Sequence, residues 1–309
     1  MRLAIRTALP LLSLLAACGA SAQQSAPEIK ITVEKLAPGV AVLFGQGGNI
    51  GVSYGSDGTV LIDDQFAPLT SKIQAAVAEL GATPVKFLIN THWHGDHSGG
   101  NENLGKAGAL IVAHDNVRVR LAAGAVSGAG TPRARTIPPA PPAALPVITY
   151  HDGLSLHLNG DEVRAVFLHG GHTDGDSIIV WQKANVIHMG DLFMNKVSLP
   201  YLDLTSGANA LNFQASIEAA LKLTNADTKI IPGHGPVGTQ ADLIAWRDML
   251  KSVIGSVQGS IKAKRTLAQI QAMKPAAKWE VKGGFISGDA FVEAVYKSLT
   301  TPVAKPHTH

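Results

Sequence analysis

From Ile29 onward, short runs of β-branched residues are broken at regular intervals by turn-forming ones. From "IKITVEKL" through "VAVLFGQGGNIGVSYG" to "TVLIDD", the runs alternate with Gly, Pro and Asp-Gly, the pattern of an antiparallel meander. "PLTSKIQAAVAELG" (68–81) then changes to helical spacing, with Thr70 or Ser71 placed to cap the helix and Gly81 to stop it. "VKFLIN" (85–90) reads as a short buried strand, "ALIVAH" (109–114) as another, and "DNVRVRLAAG" as a helix. Residues 124–146 are rich in Gly, Ala and Pro, which predicts a long surface loop. The second half repeats this arrangement, with strands at "LSLHL", "EVRAVFLH", "SIIVWQ" and "NVIHMG", then helices near 209–223, 240–258, 264–273 and 288–299. Meander and helices, twice over, predict two αβ halves packed sheet to sheet with helices outside, in the α/β (α+β) class. No linker separates them, so residues 23–309 read as a single domain.

Composition adds little to this picture. At 309 residues, with 46% apolar content, 32 glycines and 17 prolines, the chain fits a loop-rich globular protein. A formal net charge of +3 without a Lys/Arg-rich run gives no footprint for nucleic acid. The first 22 residues differ from the rest: Arg2 and Arg6, an apolar stretch, then small residues, as in a secretory signal peptide. Two cleavage readings stand. "LAAC" resembles a bacterial lipoprotein box and would leave Cys18 as a lipid anchor, the only predicted link to a membrane; "ASA" at 20–22 suits ordinary cleavage before Gln23. Either reading predicts export to a bacterial periplasm. Cys18 is the single cysteine, so the exported part has neither a disulfide nor a thiolate ligand.

The chemistry is concentrated in "INTHWHGDHSGG" (89–100), where His92, His94, Asp96 and His97 fall within six positions. Neutral imidazole and carboxylate are ligands that suit zinc. Three later stretches match it: His172 in "HGGHTDGDS", Asp191 in "IHMGDLF" and His234 in "IIPGHGP". Each follows a β-branched run and sits near glycine, where backbone can pass close to a ligand.

In this order and context the seven residues resemble the five-motif signature of the metallo-β-lactamase superfamily, over about residues 35–240. The resemblance implies a four-layer αββα sandwich with a two-metal site at one edge of the sheets. It places His92, His94 and His172 around one metal, Asp96, His97 and His234 around the other, and Asp191 between them. Three imidazoles would leave an open position on a tetrahedral zinc. Two metals about 3.5–4 Å apart can share one hydroxide and stabilise attacking and leaving oxygens. Two zinc ions are expected, because iron-binding relatives commonly have Glu at the place of His94; iron or manganese suits the set less well. Asp63 matches a position that braces the metal loop in such proteins, although a strand-ending turn explains it equally; Thr91 is expected to fix the loop backbone. Lys196 is a candidate to meet a substrate carboxylate. His114, His151, His157, His169, His188 and the terminal "HTH" fall outside the pattern.

The implied function is an exported two-zinc hydrolase that attacks a small acyl substrate with metal-bound hydroxide, Asp96 orienting it and passing a proton. β-Lactam hydrolysis is favoured, since export places the enzyme where β-lactams meet their targets. One departure counts against it: established β-lactamases of the superfamily have Cys, or Ser with a shifted ligand set, at the place of Asp191. An aspartate there is typical of lactonase, glyoxalase II-like thioesterase and phosphodiesterase branches. An iron-dependent sulfur dioxygenase and a non-catalytic metal-binding lipoprotein are the remaining alternatives. Residues 47–50, 124–146 and 195–206 are expected to read the substrate.

Overall fold

The computed structural model describes residues 28–81, 84–127 and 135–301. The predicted signal peptide, Cys18, residues 128–134 and the terminal "HTH" lie outside them. The chain enters as an antiparallel meander of β1 (Thr32–Ala37), β2 (Val40–Phe44), β3 (Ile50–Ser53) and β4 (Thr59–Ile62). Helix α1 (Thr70–Glu79) then carries it back, so that β5 (Val85–Ile89) pairs parallel to β4. Short helices α2 (Gly95–Ser98) and α3 (Asn101–Lys106) lead to β6 (Leu110–His114), parallel to β5. After α4 (Asp115–Ala123), β7 (Ala125–Ser127) and β8 (Arg135–Ile137) form a two-stranded ribbon, and β9 (Ile148–Tyr150) completes a seven-stranded sheet.

The second sheet has five strands: β10 (Gly153–Leu158), β11 (Asp161–Phe167), β12 (Ser177–Trp181) and β13 (Val186–His188) run antiparallel. Helix α5 (Ala210–Leu221) crosses over to β14 (Lys229–Ile231), which pairs parallel to β13. Helices α6 (Gln240–Lys262), α7 (Leu267–Ala272) and α8 (Gly288–Thr300) follow. Among the described residues no helix is long and apolar enough to cross a membrane.

Strand alternation produces four layers. Val40, Val42, Val60, Ile62 and Ile89 of the first sheet join Ala165, Ile179, Trp181 and Ile231 of the second in one buried cluster. The intervening Ala41, Leu43, Leu61 and Leu88 pack with Ile73 and Val77 of α1. In β12, Ile178 and Val180 turn the other way, toward Phe213, Ile217, Leu250 and Val253 of α5 and α6. Both faces of these strands are covered, which is why their sequences are almost continuously apolar. Each buried aliphatic side chain contributes about 1.5–3 kcal/mol, so sheet packing holds the strand ends that carry the site.

Two expectations need correction. Neither Thr70 nor Ser71 caps α1: the N-cap is Leu69, with no side-chain cap bond. Pro68 opens a 3-10 turn over Ala67–Leu69, so Thr70 is already helical and its hydroxyl donates to the Ala67 carbonyl at 3.0 Å. Gly81 does end the segment, at φ +75°. The 124–146 segment is also not loop throughout, because Ala125–Ser127 and Arg135–Ile137 pair as β7 and β8.

Candidate metal centre

The two sheets are joined at the edge where the site lies. Thr91 carbonyl accepts from Ser177 N–H at 2.9 Å, and Gly233 carbonyl from Asn49 N–H at 2.7 Å. The Asn49 amide donates to Pro232 and Gly235 carbonyls at 2.9 and 2.8 Å, tying the β2–β3 turn to the His234 loop. His188, outside the predicted set, serves this join. Its Nδ1 accepts from Gly190 N–H, so its Nε2 donates to the Asn49 carbonyl at 2.9 Å.

Asp63, just past β4, fixes the histidine loop. It has no exposure and a left-handed backbone (φ 65°). It accepts from Thr91 N–H and Thr91 Oγ1–H, both at 2.8 Å, and from His97 Nδ1 at 2.7 Å. This is the bracing role the resemblance implied, and Thr91 is held as expected.

These outer contacts decide which ring nitrogens face inward. The Thr91 hydroxyl proton is committed to Asp63, so His92 Nδ1 donates to Thr91 Oγ1 at 3.0 Å and Nε2 is left bare. His94 turns Nε2 to Asp203 Oδ2 at 2.9 Å, and His172 turns Nδ1 to the Tyr201 carbonyl at 2.7 Å. His97 spends Nδ1 on Asp63. The nitrogens left over converge: His172 Nε2 lies 2.9 Å from His94 Nδ1, and His97 Nε2 lies 3.3 Å from His234 Nε2. Asp191 lies between the two groups, Oδ2 at 3.5 Å from His172 Nε2 and Oδ1 at 3.1 and 3.4 Å from His97 and His234 Nε2. Asp96 Oδ2 is 3.2 Å from His234 Nε2. His92, His94, His172 and Asp191 form one group able to hold an ion, and Asp96, His97 and His234 a second.

Lone pairs facing lone pairs repel unless a cation sits among them. His92 Nε2 and Asp191 Oδ1 are buried without a hydrogen-bond partner, both aimed into the cluster. Imidazole and carboxylate donors in this arrangement fit a divalent metal.

Electrostatics agrees. Burial holds His92 well below the ordinary histidine range and His172 down at about 4, leaving both neutral. Burial also pulls His97 down, but Asp191, Asp96 and Asp63 outweigh it and hold His97 well above its usual range. His234 is likewise raised, to about 9, as Asp191 and Asp96 overcome burial. A field that binds protons this strongly also attracts metal cations.

Close backbone approach completes the site. A Cβ on Gly48 would collide with the His97 ring, and one on Gly233 with Asp191 Oδ1. Glycine is the residue that fits either place.

All seven predicted site residues are thus brought together. Lys196 is not: its ammonium pairs with Asp242 at 3.0 Å, and it does not line the site cavity. Its left-handed backbone (φ 63°) directs the side chain to the start of α6. Asp203 is a residue that sequence reasoning missed. Besides His94, it accepts from Ser206 Oγ and Thr205 Oγ1, and together these contacts outweigh burial and hold its carboxyl below the usual range. Its only sequence signal is the local "DLTS" turn chemistry. Asp203→Asn is expected to weaken zinc affinity about 10–100-fold, read by competition with a chromogenic chelator. Parent-like affinity would show that His94 needs no such orientation.

A cavity of about 610 Å³ lies over the cluster, its floor formed by His94, Asp96, Asp191 and His234. Phe44, Ile137, Met194, Val197, Tyr201 and Phe285 supply its apolar wall.

Two stacked sheets flanked by helices, with a metal-fitting His/Asp cluster at the strand ends, define a metal-dependent hydrolase. A family model described as the metallo-beta-lactamase superfamily matches residues 44–237, and the chain belongs to that superfamily. The metallo-beta-lactamase type 2 of Bacillus cereus is 28% identical over 197 residues, covering 63% of this chain and 70% of that protein. In structure, the chain is similar to a metallo-beta-lactamase from Pontibacter korlensis (TM-score 0.59, 20% identity, 72% of this chain and 99% of that one). It is also similar to a sec-alkylsulfatase from Pseudomonas sp. (TM-score 0.65, 19% identity), over 89% of this chain and 51% of that one. The two solved structures share the fold.

Proposed function

We propose that the protein is an exported two-zinc hydrolase that cleaves an acyl bond in a small-molecule substrate. The observation that carries this reading is the Asp191 carboxylate set between two groups of inward-facing imidazole nitrogens on the floor of an open cavity. His92 Nε2, His94 Nδ1 and His172 Nε2 would hold one zinc; Asp96, His97 and His234 the other; Asp191 would reach both. Bound there, the metals would supply a nucleophile from water at neutral pH and offset the charge developing on the acyl oxygen. Asp96, about one-third exposed at the cavity floor, is placed to orient the nucleophile and to pass its proton to the leaving group. The apolar wall limits bulk water around the acyl group.

Two substrate classes follow. β-Lactam opening is supported by the similarity to the relative from Bacillus cereus and by the export expected from the sequence of residues 1–22. An uncharged lactone, thioester or other ester is supported by the aspartate at position 191, typical of those branches of the superfamily, and by the apolar wall of the cavity. Cleavage before Cys18 with lipidation, or before Gln23 without it, is read from the mass of the mature N-terminus.

Metal analysis and turnover test the function together. The purified protein is expected to hold two zinc ions per chain and to hydrolyse either a chromogenic cephalosporin or members of a lactone and thioester panel. His234→Ala is expected to hold one zinc and to lose turnover. One iron per chain in the parent, or an inert two-zinc protein across the whole panel, would overturn the proposal.

A further inference from the structure

Phe285 is a large aromatic side chain left 60% exposed. A scattered exposed hydrophobic residue needs no explanation, but this ring is part of the concave wall above the metal centre. It comes from the segment between α7 and α8, beyond the 44–237 stretch that matches the family model.

The ring does not stand alone. Tyr201 stacks on His94 (centroids 6.0 Å, planes 29° apart) and packs against His172 at 5.5 Å. Phe285 meets Tyr201 edge to face, at 5.8 Å and 87°. The three tiers run outward from the metal-facing imidazoles to the cavity mouth. The backbone beneath Phe285 is fixed: Ile286 N–H donates to Ser198 Oγ at 3.0 Å, Gly284 N–H to the Val281 carbonyl at 2.9 Å. A Cβ on Gly284 would crowd the Val197 carbonyl at 3.2 Å. Tyr201 is anchored from the other side, its carbonyl accepting from His172 Nδ1. The ring is therefore presented in place, and its exposed face is turned to a cavity whose 610 Å³ suits a small ligand.

We infer that Tyr201 and Phe285 form an aromatic platform that binds an apolar arm of the substrate's acyl group and selects substrates by it. The inference deepens the acyl-hydrolase reading above and rests on it. An alkyl or aryl arm lying from the metal centre along Tyr201 to Phe285 would be buried among them and Val197, Met194 and Ile137, which line the same cavity. Each methylene buried there is worth roughly fourfold in affinity, so a selector of this kind reads arm length.

Calorimetric binding of octanoate and butyrate to the zinc-loaded protein tests the platform without relying on turnover. The parent is expected to bind octanoate at least tenfold more tightly than butyrate. Phe285→Ala is expected to shrink that ratio about tenfold, while Phe285→Leu, still apolar, keeps most of it. The octanoyl-over-butyryl preference in kcat/KM on p-nitrophenyl esters is expected to follow the same order. Equal affinities in the parent, or a preference that survives Phe285→Ala, would overturn the inference. Phe285-dependent octanoate binding by a protein that hydrolyses no acyl substrate would uphold the platform and overturn the hydrolase reading instead.

Discussion

Asp96→Asn is expected to lower kcat about 10²–10⁴-fold, the range a positioned general acid–base supplies. Burial pushes the Asp96 carboxyl up, but His97 and His234 outweigh it and hold it below the usual carboxylate range, so it is ionised, an acceptor for a proton in transit but a weak base. The amide that replaces it has nearly the same size and cannot take that proton. The backbone role of this residue is separate: its carbonyl accepts from Gly48 N–H at 3.0 Å, a bond the substitution leaves alone. The unfolding midpoint should therefore stay close to that of the parent. Asp96 also belongs to one of the two metal-fitting groups, so the measurement needs a second arm. Turnover is followed as zinc is titrated to excess. If proton handling is the role, kcat stays low at saturating zinc; if excess zinc restores it, Asp96 acts only as a ligand. Near-parent turnover at all zinc levels would remove it from the mechanism.

The site is legible in the sequence because its ligands lie at fixed short spacings or beside glycines at strand ends. His92, His94, Asp96 and His97 sit on one turn and its short helix α2, so sequence proximity alone brings them together. His172 follows β11, whose central positions alternate between buried and exposed, and Asp191 and His234 follow the short apolar runs of β13 and β14. The supporting contacts have no such signal. Asp203 reaches His94 across 109 positions, and Tyr201 holds His172 through a carbonyl that any residue would supply. Lys196 is a candidate in the sequence because it follows Asp191, but backbone direction and the nearby Asp242 decide where its charge goes. The fold follows the same division. Alternating apolar runs locate the meander and the second sheet, whereas α2 and α3, of 4 and 6 residues, are too short to show a helical period. The β7–β8 ribbon is hidden because its strands are three residues each within a Gly- and Pro-rich stretch.

Removing the Asp63 side chain is expected to give the largest loss of stability at the site, about 3–5 kcal/mol, because it breaks a buried charge-assisted network by deleting one partner. Three donors lose their acceptor at once: Thr91 N–H, Thr91 Oγ1–H and His97 Nδ1–H. All three are buried, so water does not readily replace the carboxylate. The choice of substitution matters, since Asp63 has φ 65°. Glycine adopts that conformation freely, whereas alanine adds about 1–2 kcal/mol of backbone strain. Asp63→Gly thus reads the side chain, and the extra cost of Asp63→Ala reads the strain. For a protein of this size the Gly variant should melt roughly 10 °C below the parent. The effect should reach the metal as well. With Asp63 gone, His97 Nδ1 loses its acceptor, and nothing commits the Thr91 hydroxyl proton, so that hydroxyl can donate to His92 Nδ1 and shift the ring proton to the inward-facing Nε2. Zinc affinity should fall about 10–100-fold, measured by chelator competition on the folded variant. A Gly variant within about 1 kcal/mol of the parent in urea unfolding, with unchanged zinc affinity, would show that the loop is held by its backbone and not by Asp63.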